Sequence, residues 1–246
     1  MVSSDLWDES DAAVYDEEAA DMFAPEVLGP AVDRLVGLAG GGPVLELAVG
    51  TGRVAIPLMR RGLEVHGIEL SAPMAARLQA KLEADESLPV AVGDMTETRV
   101  PGRFALVLVV WNSIGNLRTQ AEQVACFRNA AEHLAPGGRF VVELLVPPLR
   151  RLPPGQTAVP FDVSAEHTGF DTVDVVTQQL TSHHYTRLPD GSVRYGAGHF
   201  RYAWPAELDL MAQLAGLELE ARLGDWDGAP FTADSDKHVS VWRKPA

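Results

Sequence analysis

Val44-Leu45-Glu46-Leu47-Ala48-Val49-Gly50-Thr51-Gly52-Arg53 decides the fold. An apolar run with an acid near its end breaks into Gly-x-Gly and opens a helix. Backbone does this where it must pass close to a flat, polar cofactor. Glycine has no Cβ and tolerates positive φ, and the first turn of the new helix offers free N–H groups. Glu46 places a carboxylate where a cationic amine can dock.

Outward from this point, strands and helices alternate. The pattern predicts strands at Val44–Val49, Leu63–Leu70, Leu88–Val92, Phe104–Trp111 and Arg139–Val146. Helices are expected at Arg53–Arg61, Pro73–Ala84 and Thr119–Leu134, and Pro136-Gly137-Gly138 reads as the turn into the fifth strand. Near-continuous Val/Leu/Ile strands joined by helices mean a parallel sheet covered on both faces. Upstream, Asp11–Phe23 has helical apolar spacing and reads as a docked acidic helix. Pro25 starts another, which Gly40-Gly41-Gly42 ends.

Prolines at 147, 148, 153, 154 and 160 then break the pattern into loop. Thr172–Arg187 and Ser192–Trp204 alternate like two strands around Pro189-Asp190-Gly191, a hairpin signal. A helix over Pro205–Ala215 and strands at Leu217–Leu223 and His238–Trp242 finish the chain. The expected organisation is a helical cap over 1–42, a cofactor-binding core over 43–149, an antiparallel insertion over 150–204, and a C-terminal helix with the last two core strands over 205–246.

Composition narrows the partners. A formal net charge of −14 argues against a nucleic-acid backbone or an anionic membrane surface, which both select clustered Lys and Arg. No stretch approaches the roughly 20 apolar residues of a spanning helix. Met1–Asp5 has neither a basic region nor an apolar core, so no signal peptide is expected. Cys126 stands alone, which excludes an internal disulfide framework. No His-x-x-x-His or Cys-x-x-Cys metal spacing occurs. A cytoplasmic protein is the expectation.

The glycine turn by itself also fits a dinucleotide fingerprint, with Glu69 about 20 residues on. Three features favour a different ligand. Glu46 would repel a pyrophosphate and attract an ammonium. Gly93-Asp94-Met95 follows the third strand, giving a carboxylate for an adenine amino group and a thioether for the ring. Leu134-Ala135-Pro136-Gly137-Gly138-Arg139-Phe140 joins the last helix to the fifth strand.

In order and spacing, these motifs over Val44–Leu145 resemble those of class I S-adenosylmethionine (SAM) dependent methyltransferases. The resemblance implies a Rossmann-like α/β fold with a mostly parallel seven-stranded sheet and an antiparallel lid. It also implies transfer of a methyl group to a nitrogen or oxygen of a small organic molecule, with S-adenosylhomocysteine as product. Glu46, Ala48, Gly50 and Gly52 would surround the methionyl part of SAM. Glu69 would bind the ribose hydroxyls, Leu70 would pack on adenine, and Asp94 and Met95 would hold its edge and face. Trp111 and Asn112 would lie beside the methionine tail and the transferred methyl. Ala48 replaces the family's first glycine, which is tolerable if the backbone stays in the β region. Arg53 reads either as a contact to the SAM carboxylate or as a surface arginine. Tyr15, in Ala13-Val14-Tyr15-Asp16, either closes the pocket beside the sulfonium or anchors an amphipathic helix.

Methyl transfer is an in-line displacement at an activated carbon, so alignment in a dry site is the main requirement. A general base is needed only where the nucleophile must lose a proton. Candidates are Glu143, Tyr15 and the insertion histidines His183, His184 and His199. Adjacent His183 and His184 point to opposite faces of a strand, so at most one faces the cleft. Phe200, Tyr202 and Trp204 form an aromatic set on one face, opposite His199 and Arg201. The insertion resembles the lid of small-molecule N-methyltransferases that act on amines or amino sugars. Trp111-Asn112-Ser113-Ile114 lacks the Asn/Asp-Pro-Pro-aromatic motif of enzymes that methylate nucleic-acid bases. Two alternatives stay open: an NAD(P)-dependent oxidoreductase, and a methyltransferase fold using SAM for another role. Whether the inserted sheet pairs across a homodimer is also open.

Overall fold

The inner strands of the central sheet are built from residues that alternate between two apolar layers, and this fixes where the helices sit. The structure is a computed structural model that describes residues 7–246. The expectation about Met1–Asp5, and the first six residues of the helical cap, lie outside them. In chain order the elements are α1 (Glu9–Glu18), α2 (Pro25–Ala39), β1 (Val44–Leu47), α3 (Ala55–Arg60), β2 (Val65–Glu69), α4 (Ala72–Ala80), β3 (Val90–Val92), β4 (Phe104–Val109), α5 (Gln120–His133) and β5 (Leu134–Leu145). Then come β6 (Ala158–Val163), β7 (His167–Asp174), β8 (Gln179–Arg187), β9 (Val193–Arg201), α6 (Pro205–Leu214), β10 (Glu218–Leu223) and β11 (Lys237–Arg243).

The main sheet has seven strands in the order β10-β11-β5-β4-β1-β2-β3. The β1–β2, β1–β4, β2–β3 and β4–β5 pairs are parallel, and β11 runs antiparallel to both β5 and β10. Odd-numbered Leu45, Leu47, Val107 and Val109 pack with α5 and α6 residues such as Phe127 and Met211. Their neighbours Val44, Leu106 and Leu108 pack with Leu35 of α2 and Leu58 of α3. Burial on both faces explains the unbroken apolar strands. Chain order reverses between β1 and β4, so a crevice opens beyond the carboxyl ends of these strands, where such sheets take ligands.

A second, four-stranded antiparallel sheet runs β6-β7-β8-β9. Here the sequence reading is corrected. Thr172–Arg187 is two strands, not one, split by a turn at 175–178. The Asp174 carboxylate caps that turn by accepting from Val176 N–H and the Thr177 hydroxyl, and Gln178 takes φ 59°. Val175 and Val176 hid the turn because β-branched residues look like strand, yet both are exposed. β6 was missed because it contains Pro160. Proline is tolerated there because β6 is an edge strand. In the core, Pro136-Gly137-Gly138 lies inside β5 rather than before it, at a pairing irregularity between Phe104 and Leu106 of β4.

The N-terminal helix is also shorter than its spacing implied. α1 stops at Glu18 and a separate 3-10 turn covers Ala20–Phe23. Its docking is polar. Asp16 accepts a hydrogen bond from Thr51 Oγ1 (2.6 Å) and pairs with Lys81, and Ser71 Oγ donates to the Trp7 carbonyl (2.6 Å). No helix among the described residues is long and apolar enough to cross a membrane.

Candidate functional site

A cavity of about 310 Å³ opens at the carboxyl ends of β1, β2 and β4. Among the residues that line it are Tyr15, Ala48, Gly50, Glu69, Leu70, Asp94, Met95, Trp111 and Asn112, all singled out from sequence. They come from α1, from the end of β2 and from loops far apart in the chain, and the crevice at the strand reversal brings them together.

Glu69 ends β2 with its carboxylate clamped between two backbone donors. Oε2 accepts from Gly50 N–H (2.8 Å) and Oε1 from Ser71 N–H (2.9 Å). Burial raises its pKa above the usual carboxylate value, against those hydrogen bonds. Asp94 forms a local turn in which Oδ1 accepts from Thr96 N–H (2.8 Å) and Thr96 Oγ1 (2.7 Å), fixing the carboxylate at the cavity wall. Gly50 takes φ 58°, which suits a residue without a Cβ. Gly52 has a different task. A Cβ there would meet Ile56 Cδ1 at 2.8 Å and Leu78 Cγ at 2.9 Å, so this glycine lets α3 and α4 approach and does not line the cavity.

Glu46 shares the Val44 face of β1 and is 3% exposed. Its Oε2 has no hydrogen-bond partner among the described residues. Burial is the largest influence on it and pushes its pKa up to about 8, opposed by the Arg53 charge and the Ala55 N–H. A buried carboxylate oxygen without a partner is costly, and a cation placed against it removes that cost. Arg53 does not line the cavity either. It donates to the Met22 carbonyl and lies over the Trp111 ring at 4.9 Å.

Backbone geometry corrects the expectation for Ala48 and adds a strained pair at Trp111 and Asn112. Ala48 does not stay in the β region, because it takes φ 54°. Left-handed backbone costs a non-glycine residue about 1–2 kcal/mol. Trp111 and Asn112 take φ 54° and 58° in succession. Glu143 and β5 hold them there: Trp111 N–H donates to Glu143 Oε2 (3.0 Å), Asn112 N–H to the Glu143 carbonyl (3.2 Å), and Leu145 N–H to Asn112 Oδ1 (2.6 Å). Glu143 Oε1 accepts from Trp226 Nε1 (2.9 Å). Both carboxylate oxygens are therefore engaged, and Glu143 supports Trp111 and Asn112 where it had been expected as a base.

A second cavity, of about 340 Å³, lies between the four-stranded sheet and the end of β5. It shares Asn112 and Phe200 with the first. In β8 and β9, Leu180 pairs with Phe200 and Ser182 with Gly198, so these residues face the cavities. His183 and His199 lie on the opposite face. His183 stacks on Phe170 and bonds Tyr195 Oη (2.8 Å), and His199 Nδ1 bonds Thr181 Oγ1 (3.2 Å). Neither lines a cavity; His184 shares the sheet face of Leu180 and Ser182 but is exposed and lines no cavity either. Sequence reasoning also missed Trp7, Phe200 and Asp171. The period-two alternation of Phe200 with Tyr202 was visible, but an aromatic stripe reads equally well as core.

Acids at the ends of successive parallel strands and a glycine turn line this cavity, and the buried Glu46 carboxylate lies outside its lining. Residues 44–138 match the family model described as a methyltransferase domain. The solved CcbJ methyltransferase from Streptomyces caelestis is 39% identical, with TM-score 0.84 over 96% of each chain. The cypemycin N-terminal methyltransferase from a Streptomyces species is 29% identical over 94% of this chain and 98% of its own. SAM-bound CalS10, an amino pentose methyltransferase from Micromonospora echinaspora, has the same fold at TM-score 0.71 and 21% identity, covering 93% of this chain and 96% of its own. The chain belongs to the class I SAM-dependent methyltransferases. SAM is its methyl donor, and the oxidoreductase alternative falls away.

Proposed function

We propose that the enzyme methylates a nitrogen of a small amine-bearing molecule, with the acceptor seated between the four-stranded sheet and the core. The junction of the two cavities at Asn112 and Phe200 carries this reading, because donor and acceptor must meet in line. Two relatives whose names speak of N-terminal or N,N-methylation support it: cypemycin N-terminal methyltransferase and a dTDP-amino-sugar N,N-dimethyltransferase of Streptomyces venezuelae, the latter 35% identical over 41% of this chain and 41% of its own.

In this reading Glu69 accepts the ribose hydroxyls and Asp94 the adenine amino group, with Leu70 and Met95 on the ring. Glu46 faces the donor's ammonium. When bound, SAM supplies a methyl group already activated on a sulfonium. The protein aligns and dries the reaction: Tyr15 and Phe200 cover the junction, and the strained Trp111-Asn112 pair shapes its floor. Alignment of this kind contributes up to roughly 7–11 kcal/mol. The antiparallel sheet serves as the lid, the segment 1–42 as the cap, and the cytoplasm is the expected setting.

The test is incubation with methyl-labelled SAM and a panel of aryl-alkyl amines, amino sugars and free peptide N-termini, followed by mass spectrometry. Labelled N-methyl product supports the reading. Label found only on oxygen or carbon acceptors from a metabolite extract sinks it.

A further inference from the structure

We propose that Asp171 receives the proton shed by the acceptor amine, and that Ser182, His184, His167 and Asp162 carry it to solvent. The proposal rests on the amine-methylation reading above.

Asp171 of β7 pairs with Ser182 of β8, and both line the lid–core cavity. The two stand directly opposite each other on neighbouring strands, and the Ser182 hydroxyl holds the Asp171 pKa down against its burial. The same hydroxyl lies 3.2 Å from His184 Nε2. His184 Nδ1 is 3.1 Å from His167 Nε2, and His167 Nδ1 is 2.5 Å from Asp162 Oδ2. His184 is itself exposed and the Asp162 side chain at the far end is 45% exposed, so the chain runs from cavity wall to solvent. Its nitrogens and oxygens are spent on one another in a line. Among the described residues no group of three or more His, Cys, Asp or Glu is placed to hold a metal.

The charges around Asp171 favour a cationic guest. Across the cavity, Arg150 and Arg151 pair with Asp236, and Arg201 pairs with Glu207. Tyr202 lines the same wall, and His183 lies on the opposite face of the sheet. These arginines already have acidic partners, while the protein offers Asp171 a serine hydroxyl. Burial raises the Asp171 pKa, and the nearby His184 and His183 oppose that rise. Burial, and after it the charge of His167, lower the pKa of His184, which favours the neutral imidazole a relay uses.

The step balances. An ammonium N–H breaks and its proton joins the Asp171 carboxylate, leaving a lone pair on nitrogen. That pair forms the new N–C bond while the methyl–sulfur bond breaks with its electrons on sulfur. Protonated Asp171 then donates to Ser182 Oγ, whose own proton turns to His184 Nε2. His184 Nδ1–H passes to His167 Nε2, and His167 Nδ1–H to Asp162 and water.

The experiment compares wild type, D171N and H184Q with the amines of the panel just described. In D171N, kcat/KM falls roughly 100- to 10,000-fold, the usual span for losing a proton acceptor. S-adenosylhomocysteine affinity stays within twofold, which shows an intact fold. Calorimetry on the S-adenosylhomocysteine complex shows amine binding weakened at least tenfold. D171A recovers activity with added formate, which a merely structural residue would not do. H184Q lowers kcat about tenfold with KM unchanged and shifts the acid limb of the pH–rate profile. A D171N enzyme within threefold of wild type overturns the proposal alone. Wild type inactive toward every amine overturns the amine-methylation reading and this proposal with it.

Discussion

Binding of S-adenosylhomocysteine at pH 6.5 should release close to one proton, and Glu46 should be its source. The carboxylate is 3% exposed, one oxygen has no partner, and its pKa stands at about 8. At pH 6.5 the protonated form then exceeds the ionised by about 30-fold, so roughly 0.97 of the molecules carry the proton. The ligand's α-amino group, with a pKa near 7.7–8.0, is already about 95% protonated and takes up little. An ammonium docked on Glu46 favours its ionised form, giving a net release of about 0.9 proton. The linked affinity is about 50-fold weaker at pH 5.5 than at pH 7.5, after correction for the ligand amine. Free-protein stability has the matching sign. The folded pKa is raised, so the folded state holds a proton between about pH 4.5 and 8 that the unfolded chain has lost. Stability therefore falls as pH rises through that window, by about 5 kcal/mol for this group. Calorimetry in two buffers of different ionisation enthalpy reads the proton count. Glu46→Gln should reduce it to about zero and flatten the pH dependence of urea unfolding relative to wild type. 5′-Methylthioadenosine, which lacks the amine, should bind without release. Fewer than about 0.3 proton with wild type, or equal release with Glu46→Gln or with 5′-methylthioadenosine, refutes the assignment of Glu46 to the ammonium.

Glu69→Ala and Asp94→Ala should each weaken S-adenosylhomocysteine binding by about 1.5–3 kcal/mol, the range for a hydrogen bond to a charged group; unchanged affinity by calorimetry would remove them from the site. Arg201→Ala should cost about 3–5 kcal/mol in urea unfolding, because it strands Glu207 and the side-chain carbonyls of Gln123 and Gln178 in a buried network. A loss under about 1 kcal/mol would show that this network relaxes around the vacancy. Ala48→Gly should stabilise the ligand-free protein slightly, by about 0.5–1 kcal/mol. It relieves about 1–2 kcal/mol of left-handed strain and returns about 0.4–1 kcal/mol of unfolded-state entropy. Thermal unfolding checks it, and a loss of more than about 1 kcal/mol would mean the Ala48 methyl is needed for packing.

What was legible in the sequence follows a physical divide. The core strands could be read because burial on both faces demands apolar runs such as Leu106–Val109. Glu69 and Asp94 could be read because they are acids at strand ends, where the crevice of a parallel sheet must lie. The lid was harder. Its strands are half-exposed, so Val175-Val176 in a turn looks like strand, and Pro160 on an edge looks like loop. The acceptor side was least legible, because Asp171, Ser182 and His184 meet only through strand pairing. Adjacent His183 and His184 differ in sequence by nothing that says which shares the face of Leu180 and Ser182. Register alone decides it.

The same divide explains Ala48, Trp111 and Asn112. An alanine or tryptophan gives no local warning of positive φ; at Trp111 and Asn112 the surrounding hydrogen bonds impose it. The Asn112 amide oxygen takes Leu145 N–H, and Glu143 takes Trp111 N–H from beneath. Such strain persists only where the surroundings over-determine it. Here the devices stand at the ends of the two strands that flank the crevice, where donor and acceptor must be aligned. A buried acid on β5 thereby fixes a turn that sets both Trp111 and Asn112 along the cavity. It shapes the turn that the ligands meet.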